Sequence, residues 1–346
     1  MNSTVATSVT EIVLPGTVEP DGLELRTRDL PAPAEGQVVL PMDATGVSFA
    51  EQQMRRGAYY DQPPFPFVPG YDLVGTVTAV GPEAHAALVG HRFAAVTKTG
   101  AWTSHLLIDA ADLMPVPDEV DAAAAETVLV NGITAWQMLH RVAKVRTGGT
   151  IVVLGANGGV GSTLAQLARH AGITVIGTTS ARHHATVRAP CTTPVDYRDP
   201  HMYDRIRELA PDGVDAVFDH VGGAGIEQSW QLLRRGGVLV SYGSAATKDN
   251  EGDSQLPVLK LFARLTALEL PAPRQERTVL QLLGRQAPLP HVLAAADERG
   301  PHPGAAPGGR RRPHPADRRE DPVAGRRLGT DARRVPHRRR QDHHRP

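Results

Sequence analysis

Residues 151–168 constrain the fold of this chain more than any other stretch. They read IVVLGANGGVGSTLAQLA, in which an apolar β-branched run leads into a glycine-rich turn and the turn leads into a helical pattern. The spacing Ala156-x-Gly158-x-x-Gly161 is that of the dinucleotide-binding fingerprint, with alanine in the first place. Small residues there allow a tight turn, a close approach of the backbone to a pyrophosphate and packing of the helix on the strand. The stretch predicts a dinucleotide site, and the alternative is a glycine-rich turn without a ligand.

The rest of the sequence divides into two unlike halves. Up to about residue 125 it reads as strands and turns, because β-branched residues recur in VVLPMDATGVSF and GTVTAVG, and PPFPFVPGYD is too rich in proline for a helix. From residue 126 strands alternate with helices: ITVIGTT, VDAVFDHVG and GGVLVSYGS read as strands, and STLAQLARHAG and SWQLLRR as helices. This alternation predicts a parallel sheet with helices on both faces.

The end of the second predicted strand of the α/β half indicates which dinucleotide binds. A site for NAD usually has Asp or Glu about 20 residues after the fingerprint, where the acid binds the ribose hydroxyls. Here the strand ends in Thr178-x-Ser180 with Arg182 following, and residues 162–195 contain no Asp or Glu. An arginine and two hydroxyls suit a 2′-phosphate, which an acid would repel. The sequence therefore predicts NADPH, and a solvated charge at a helix end is the alternative explanation of Arg182.

Composition limits the partners. There is no apolar run of about 18 residues and no basic segment followed by an apolar one at the N-terminus, and the single cysteine, Cys191, excludes an intrachain disulfide. Residues 1–298 carry nine more acidic than basic side chains, so nucleic acid is not an expected partner of this part. We expect a cytoplasmic protein without a membrane partner.

Four segments, taken in order, resemble the medium-chain dehydrogenase/reductases, most of all the zinc-free quinone oxidoreductase branch. They read GVSFAEQQMRRGAYY, PFVPGYDLVG, GAWTSHLLIDAADLMPVPD and NGITAWQMLHRVAKVRTGGTIVVLGANGGVG, and the resemblance covers roughly residues 12–283. It implies an α/β protein with a GroES-like, partly open β-barrel catalytic domain over 1–125 and a Rossmann domain, a doubly wound parallel sheet, over 126–272. A partial return segment over 273–298 follows, the active site lies in the cleft between the domains, and a homodimer is implied.

The resemblance also implies which residues hold the cofactor. The residues implied at the pyrophosphate are Gly158, Gly159, Val160 and Gly161. Those implied at the 2′-phosphate end are Thr178, Ser180, Arg182 and Tyr197. Those implied along the nicotinamide and its ribose are Thr134, Val221, Gly222 and Gly243. Packing or turn chemistry also explains any one of these residues, and only their joint order points to a site.

The chain departs from the family's pattern at the metal site. Zinc-dependent relatives carry a cysteine ligand near Ser48 and a Gly-His-Glu motif where this chain has Gly70-Tyr71-Asp72, and hydroxyl side chains are poor zinc ligands. One cysteine cannot build the four-cysteine structural zinc lobe, and the fifteen histidines are scattered. We therefore expect no metal.

Without zinc, the expected reaction is hydride transfer from NADPH to a small quinone, enone or similar conjugated carbonyl. Such a reduction requires a hydrogen-bond donor at the oxygen where charge develops, rather than a Lewis acid. The candidates for donor or substrate contact are Ser48, Tyr59, Tyr60 and Tyr71, with ordinary polar residues of a core or loop as the alternative. Relatives commonly carry Asn at the position of Ser48, so this usual contact is altered. Two other functions remain open: a dinucleotide-binding protein with little or no turnover and, less favoured, a zinc-type alcohol dehydrogenase.

The segment 299–346 does not fit this pattern. It holds fourteen arginines and five acidic residues, and it is otherwise mostly Pro, Gly, Ala and His, so we predict a disordered tail. Its last residues, RQDHHRP, permit Gly-Lys-Ile-Ile-Ile-Val in another reading frame, which is similar to the strand that closes family members. A frameshift between about residues 284 and 305 is one explanation of the tail. A basic arm for nucleic acid or a membrane surface is the other.

Overall fold

The structure is a computed structural model that describes residues 7–59, 61–188, 192–243, 245–247, 260, 263–264 and 278–281. All of these belong to one compact unit, Met1–Val292. The tail predicted over 299–346, most of the return segment over 273–298, and the residues Tyr60 and Cys191 lie outside the described residues. In the part of the chain that the structure describes, no helix has both the length and the apolar character needed to cross a bilayer.

The first half of the chain forms antiparallel sheets, as its strand-and-turn pattern predicts. Its elements are β1 (Thr7–Val13), β2 (Glu24–Leu30), β3 (Gln37–Thr45), α1 (Phe49–Arg55), β4 (Asp72–Thr76), β5 (Ala79–Val80), β6 (Arg92–Val96), β7 (His105–Asp109) and β8 (Met114–Pro115). β1 pairs with β2, and the main sheet has the order β5-β3-β4-β6-β8, with β7 on β3. Alternate residues of these strands, among them Val38, Leu40, Leu73, Phe93 and Ala95, share one buried cluster, so the sheet closes around its own core.

The second half forms a six-stranded parallel sheet. Its elements are α2 (Ala122–Trp136), β9 (Thr150–Val153), α3 (Gly159–His170), β10 (Thr174–Thr179), α4 (His184–Arg188), β11 (Thr192–Asp196), α5 (Met202–Leu209), β12 (Val214–Asp219), α6 (Ile226–Gln231), β13 (Leu233–Ser241) and β14 (Thr278–Gln281). The strand order is β11-β10-β9-β12-β13-β14, so the direction of winding reverses between β9 and β12. In sheets of this kind the crevice at the carboxyl ends of the strands, where the winding reverses, is where ligands bind.

Both faces of the parallel sheet are buried, which explains why residues 151–153 of β9 are all apolar. Ile151 and Val153 pack in a cluster with Leu164 of α3, whereas Val152 packs in the opposite cluster with Ile206 of α5. Strands covered on both sides need apolar residues at every position rather than at alternate ones. The doubly wound parallel fold predicted from the sequence is confirmed.

One predicted helix is wrong in its extent. The sequence SWQLLRR reads as helical, but α6 ends at Gln231 and β13 begins at Leu233. Leu233 is buried and pairs with Val214 of β12, so the pairing with the neighbouring strand overrides the local helical preference.

α2 connects the two halves. It begins at Ala122, four residues before the predicted boundary at 126, and Ala125 packs with Val74 of β4 and Ala94 of β6. The predicted boundary therefore falls inside a helix that contacts the antiparallel sheet. The domain limits themselves stay a prediction.

Candidate functional site

The glycine-rich turn connects the carboxyl end of β9 to the amino end of α3. Gly158 is the N-cap of the helix, and a Cβ placed on Gly161 would lie 2.3 Å from the carbonyl oxygen of Gly155. A Cβ on Gly159 would lie 2.7 Å from Nδ2 of Asn131 on α2. The turn thus has no room for side chains at these positions, and it leaves backbone N–H groups at the helix terminus for an anion.

Thr178 supports this turn from the neighbouring strand β10. Its hydroxyl accepts a hydrogen bond from the backbone N–H of Gly155 at 3.0 Å, and its carbonyl accepts one from Ala156 at 2.9 Å. The side chain is 2% exposed. The structure gives the hydroxyl of Thr178 a role in shaping the turn, and the assignment of Thr178 to the 2′-phosphate end stays a prediction.

Basic and polar residues gather where β10 and β11 end. Ser180 is the N-cap of a short 3-10 turn and is buried, whereas Arg182 in that turn is exposed and donates from Nε to Nε2 of His183 at 3.0 Å. Tyr197 follows β11 and is 53% exposed, with the guanidinium of Arg198 over its ring at 5.5 Å. The structure therefore brings the predicted residues to one edge and adds Arg198, which the sequence reasoning missed although it follows Tyr197 directly.

Asp219 organises the turn after β12. Its Oδ1 accepts hydrogen bonds from the backbone N–H groups of Val221 and Gly222, both at 2.8 Å, and its Oδ2 accepts one from the hydroxyl of Ser229 at 2.8 Å. Gly222 has φ of +66°, a conformation that favours glycine. Asp219 was not predicted from the sequence, although an acid that ends a strand before Val-Gly-Gly is a signal for such a turn.

The remaining predicted cofactor residues lie around the same end of the parallel sheet. Gly243 follows β13, and a Cβ there would lie 2.6 Å from the carbonyl oxygen of His220. Thr134 is on α2, three residues after Asn131, so the two share the helix face that approaches the glycine turn. Val160 is partly buried and packs against the apolar cluster beneath α3.

The predicted donors Ser48, Tyr59 and Tyr71 come together in the first half of the chain. Ser48 is the N-cap of α1, and its backbone N–H and its hydroxyl both donate to Oε2 of Glu51, the backbone bond being 2.8 Å long. Oε1 of Glu51 accepts the backbone N–H of Tyr71 at 3.2 Å. The hydroxyl of Tyr71 is hydrogen-bonded to that of Tyr59. Glu51 was missed by the sequence reasoning, and the capping-box spacing Ser-x-x-Glu is the signal that could have found it.

A carboxyl pair lies next to these donors, in which Asp72 is buried and Glu126 is partly buried. Burial, then the charge of Glu126 and a hydrogen bond to it, raise the pKa of Asp72 to about 7, and Glu51 adds to the effect. Burial also raises the pKa of Glu126. Asp72 is 8% exposed and accepts the backbone N–H of Val130 at 3.3 Å. Asp72 therefore retains a proton up to near-neutral pH and donates it to Glu126.

Ser48 and Tyr71 are the residues that the family resemblance places near the zinc-ligand positions of zinc-dependent relatives. Both are hydroxyl side chains already engaged in hydrogen bonds. Within the described ranges, no three His, Cys, Asp or Glu side chains are grouped so that they could hold a metal ion.

A cavity of about 710 Å³ is lined by the glycine turn, α3 and α4. Its lining residues are Ala156, Asn157, Ser162, Gln166, Arg169, His170, Thr186 and Val187. The cavity therefore extends from the turn itself and does not include the hydroxyl cluster of the first half.

Two family models match the chain. The model described as alcohol dehydrogenase GroES-like domain matches residues 34–118, and the model described as zinc-binding dehydrogenase matches residues 159–282. These matches confirm the GroES-like domain that the resemblance implied for the first half and agree with the dinucleotide-binding fold of the second.

Individual relatives point the same way. The chain is 30% identical over 232 residues to a probable quinone oxidoreductase of Schizosaccharomyces pombe, covering 65% of this chain and 68% of the relative. It is 35% identical over 238 residues to the synaptic vesicle membrane protein VAT-1 homolog of Rattus norvegicus, covering 68% of this chain and 59% of the relative. The chain thus spans about half to three fifths of the length of the VAT-1 relatives that it matches. A mycobacterial protein whose structure is complexed with NADPH is 30% identical, with a TM-score of 0.65 over 79% of this chain and 81% of the other.

Proposed function

The chain belongs to the medium-chain dehydrogenase/reductase superfamily, in its quinone oxidoreductase-like branch, and from this membership we propose that it reduces a quinone, an enone or a similar conjugated carbonyl with NADPH and without zinc. The observation that carries the proposal is the glycine turn at the point where the winding of the sheet reverses, with exposed arginines at the adjoining strand ends.

The residues present fit a dinucleotide with a 2′-phosphate. Because Gly158 and Gly161 leave no side chain between the backbone and the crevice, the N–H groups that open α3 are free to hold a pyrophosphate. The exposed Arg182 and Arg198 lie where the adenosine ribose belongs in such folds, and guanidinium groups bind phosphate well. The NADPH bound by a mycobacterial relative supports the same choice of cofactor.

NADPH, when bound, supplies the hydride, and the hydroxyl cluster supplies the hydrogen bond that the reduction requires. The hydroxyls of Tyr59 and Tyr71 are hydrogen-bonded to each other, and each hydroxyl carries one O–H donor and acceptor lone pairs. Donors aimed at the oxygen that gains charge stabilise the transition state of such a reduction. Glu51 holds Ser48 and Tyr71 at fixed positions, and the protonated Asp72 lies beside them as a nearby store of a proton.

The chemistry of the donor set argues against zinc at this site. Neutral hydroxyls are weak ligands for Zn²⁺, which prefers thiolate, imidazole and carboxylate groups. The zinc-type alcohol dehydrogenase function is therefore not favoured, although one family model carries zinc in its description. A homodimer and a cytoplasmic location stay predictions from the sequence.

Steady-state assays on the full chain test the proposed function. We expect loss of NADPH absorbance in the presence of a naphthoquinone or a cyclohexenone, a slower reaction with NADH, and no change on treatment with a zinc chelator. Binding of NADPH without turnover of either substrate would instead favour the dinucleotide-binding protein without catalysis. Activity that depends on added zinc would overturn the proposal.

A further inference from the structure

His220 lies at the point of the sheet where the winding reverses. It directly follows β12, and its ring faces Gly155 at the end of β9: a Cβ placed on Gly155 would lie 2.3 Å from Cε1 of His220 and 3.0 Å from its Nε2. The backbone oxygen of His220 approaches Gly243 on the other side. His220 thus packs between two turns that we assign to the cofactor, with its imidazole against Gly155 and its backbone against Gly243.

The orientation of the ring is fixed by its other nitrogen. Nδ1 lies 2.9 Å from the carbonyl oxygen of Leu154, and a carbonyl only accepts, so Nδ1 carries a hydrogen and donates it. The ring of Tyr242 packs against the imidazole with centroids 5.9 Å apart. Nε2 makes no hydrogen bond to any residue that the structure describes, so it holds a lone pair in the neutral ring.

Burial keeps the ring of His220 neutral in the free protein. Burial lowers the pKa of His220, and the opposing effects of the Asp219 carboxylate and the Leu154 carbonyl are smaller. Asp219 is occupied by backbone N–H groups and the hydroxyl of Ser229, and burial raises the pKa of Tyr242 so that it stays uncharged. No cation contributes to the pKa shift of His220. An anion that binds next to Nε2 would therefore be the largest new electrostatic effect on the pKa of the ring.

A dinucleotide would bring such an anion. In folds of this type the pyrophosphate lies between the first strand and the strand beyond the reversal, here β9 and β12, and it carries two negative charges. Nearby negative charge favours the imidazolium, whose Nε2–H is a donor, and hydrogen bonds to charged groups are stronger than neutral ones.

We propose that His220 is a cofactor-binding residue that takes up a proton from solvent when the dinucleotide binds and then donates a hydrogen bond from Nε2 to its diphosphate. This inference rests on the proposed NADPH site and adds to it a residue and a pH dependence. The ligand group is the diphosphate, common to NADPH and NADH, so the effect is expected with both cofactors.

The decisive variant is His220→Asn, because the Asn side-chain amide can still donate to Leu154 but has no equivalent of Nε2. Calorimetric titrations with NADP⁺ are made on wild-type protein, on this variant and on His85→Asn, an exposed histidine of the first half that serves as control. We expect binding by His220→Asn to be about ten-fold weaker than wild type near pH 6, and the ratio to fall towards one near pH 8.5. The control should match wild type throughout. Titration of the 2′-phosphate is common to all three proteins and cancels in the ratio.

The outcomes separate this inference from the proposed function. Absence of NADP⁺ and NADPH binding by wild type would overturn both. Tight binding by wild type with an affinity ratio that does not change with pH would overturn the role of His220 and leave the NADPH site standing. If the variant does not fold, histidine NMR of wild type decides: the pKa of the His220 ring should rise by about one unit or more when NADP⁺ is added, and an unchanged value refutes the inference.

Discussion

The carboxyl pair of Asp72 and Glu126 should make the stability of the fold fall as pH rises. Asp72 has a pKa of about 7 in the folded protein, raised chiefly by burial and by the charge of Glu126, against about 3.9 in an unfolded chain. Below about pH 4 both states hold the proton and the pair has no effect. Between the two pKa values only the folded state keeps the proton, so unfolding releases it and becomes easier with each unit of pH. Above about pH 7 the full penalty is present.

The size of the effect follows from the difference between the two pKa values. About three units at 1.36 kcal/mol each give an upper limit of about 4 kcal/mol, of which about 2–3 kcal/mol develops between pH 5 and pH 8. The proton is shared with Glu126, so we expect the observed part to be about 1–2 kcal/mol.

Asp72→Asn tests this, because the amide imitates the protonated acid. Its oxygen can accept the backbone N–H of Val130 and its nitrogen can donate to Glu126, but it cannot ionise. Urea unfolding followed by tryptophan fluorescence is measured at pH 5 and pH 8. The variant should gain about 1–2 kcal/mol relative to wild type on going from the lower to the higher pH. Asp109→Asn, at an exposed acid of the first half, provides the control and should show no such gain. A difference between Asp72→Asn and wild type that is equal at the two pH values would refute the reasoning.

Four further substitutions test the cofactor site and the first half. Thr178→Val leaves the partly buried N–H of Gly155 without this partner, so it should lower the free energy of unfolding by about 1–3 kcal/mol and weaken NADPH binding, both measurable by thermal unfolding with and without cofactor. Gly161→Val places a side chain against the turn and should abolish dinucleotide binding in a fluorescence titration, and retained affinity would contradict the close packing. Arg182→Ala should reduce the preference for NADPH over NADH by about ten-fold while sparing NADH, and equal losses for both cofactors would show that Arg182 does not read the 2′-phosphate. Burial alone would raise the pKa of Glu11, but hydrogen bonds from its two arginine partners lower it, so the stability that this group provides is present near pH 7 and lost as pH falls below about 4. Glu11→Gln should therefore be destabilising in urea near pH 7 and less so as pH falls towards 3, and a loss of equal size at pH 7 and pH 3 would refute the assignment.

Adjacent residues determined much of the fold. The apolar run of β9, the glycines after it and the helical pattern of α3 are close in sequence, and each follows a local rule of burial, backbone freedom or periodicity. The same locality explains why the alternation of strands and helices predicted the parallel sheet. The local pattern of SWQLLRR was misleading because Leu233 pairs with β12, and no local sequence rule identifies that partner.

The site was determined only in part by the sequence. The order of motifs in the sequence predicted the glycine turn, Arg182 and the hydroxyl candidates. The packing of distant segments decided which contacts each of them makes. The hydroxyl of Thr178 accepts a hydrogen bond from the glycine turn because β10 pairs with β9. Ser48 and Tyr71 share Glu51 only because α1 packs beside the start of β4.

Only the tertiary structure placed the titratable groups together. Asp72 meets Glu126 because α2 crosses β4, and His220 faces Gly155 because β12 pairs with β9. Side chains far apart in sequence interact through the geometry of packed elements, and the burial and neighbouring charge that shift a pKa exist only after folding. The sequence therefore determined which fold and which cofactor class to expect, whereas the protonation states and hydrogen-bond partners of the site were decided by how the elements pack.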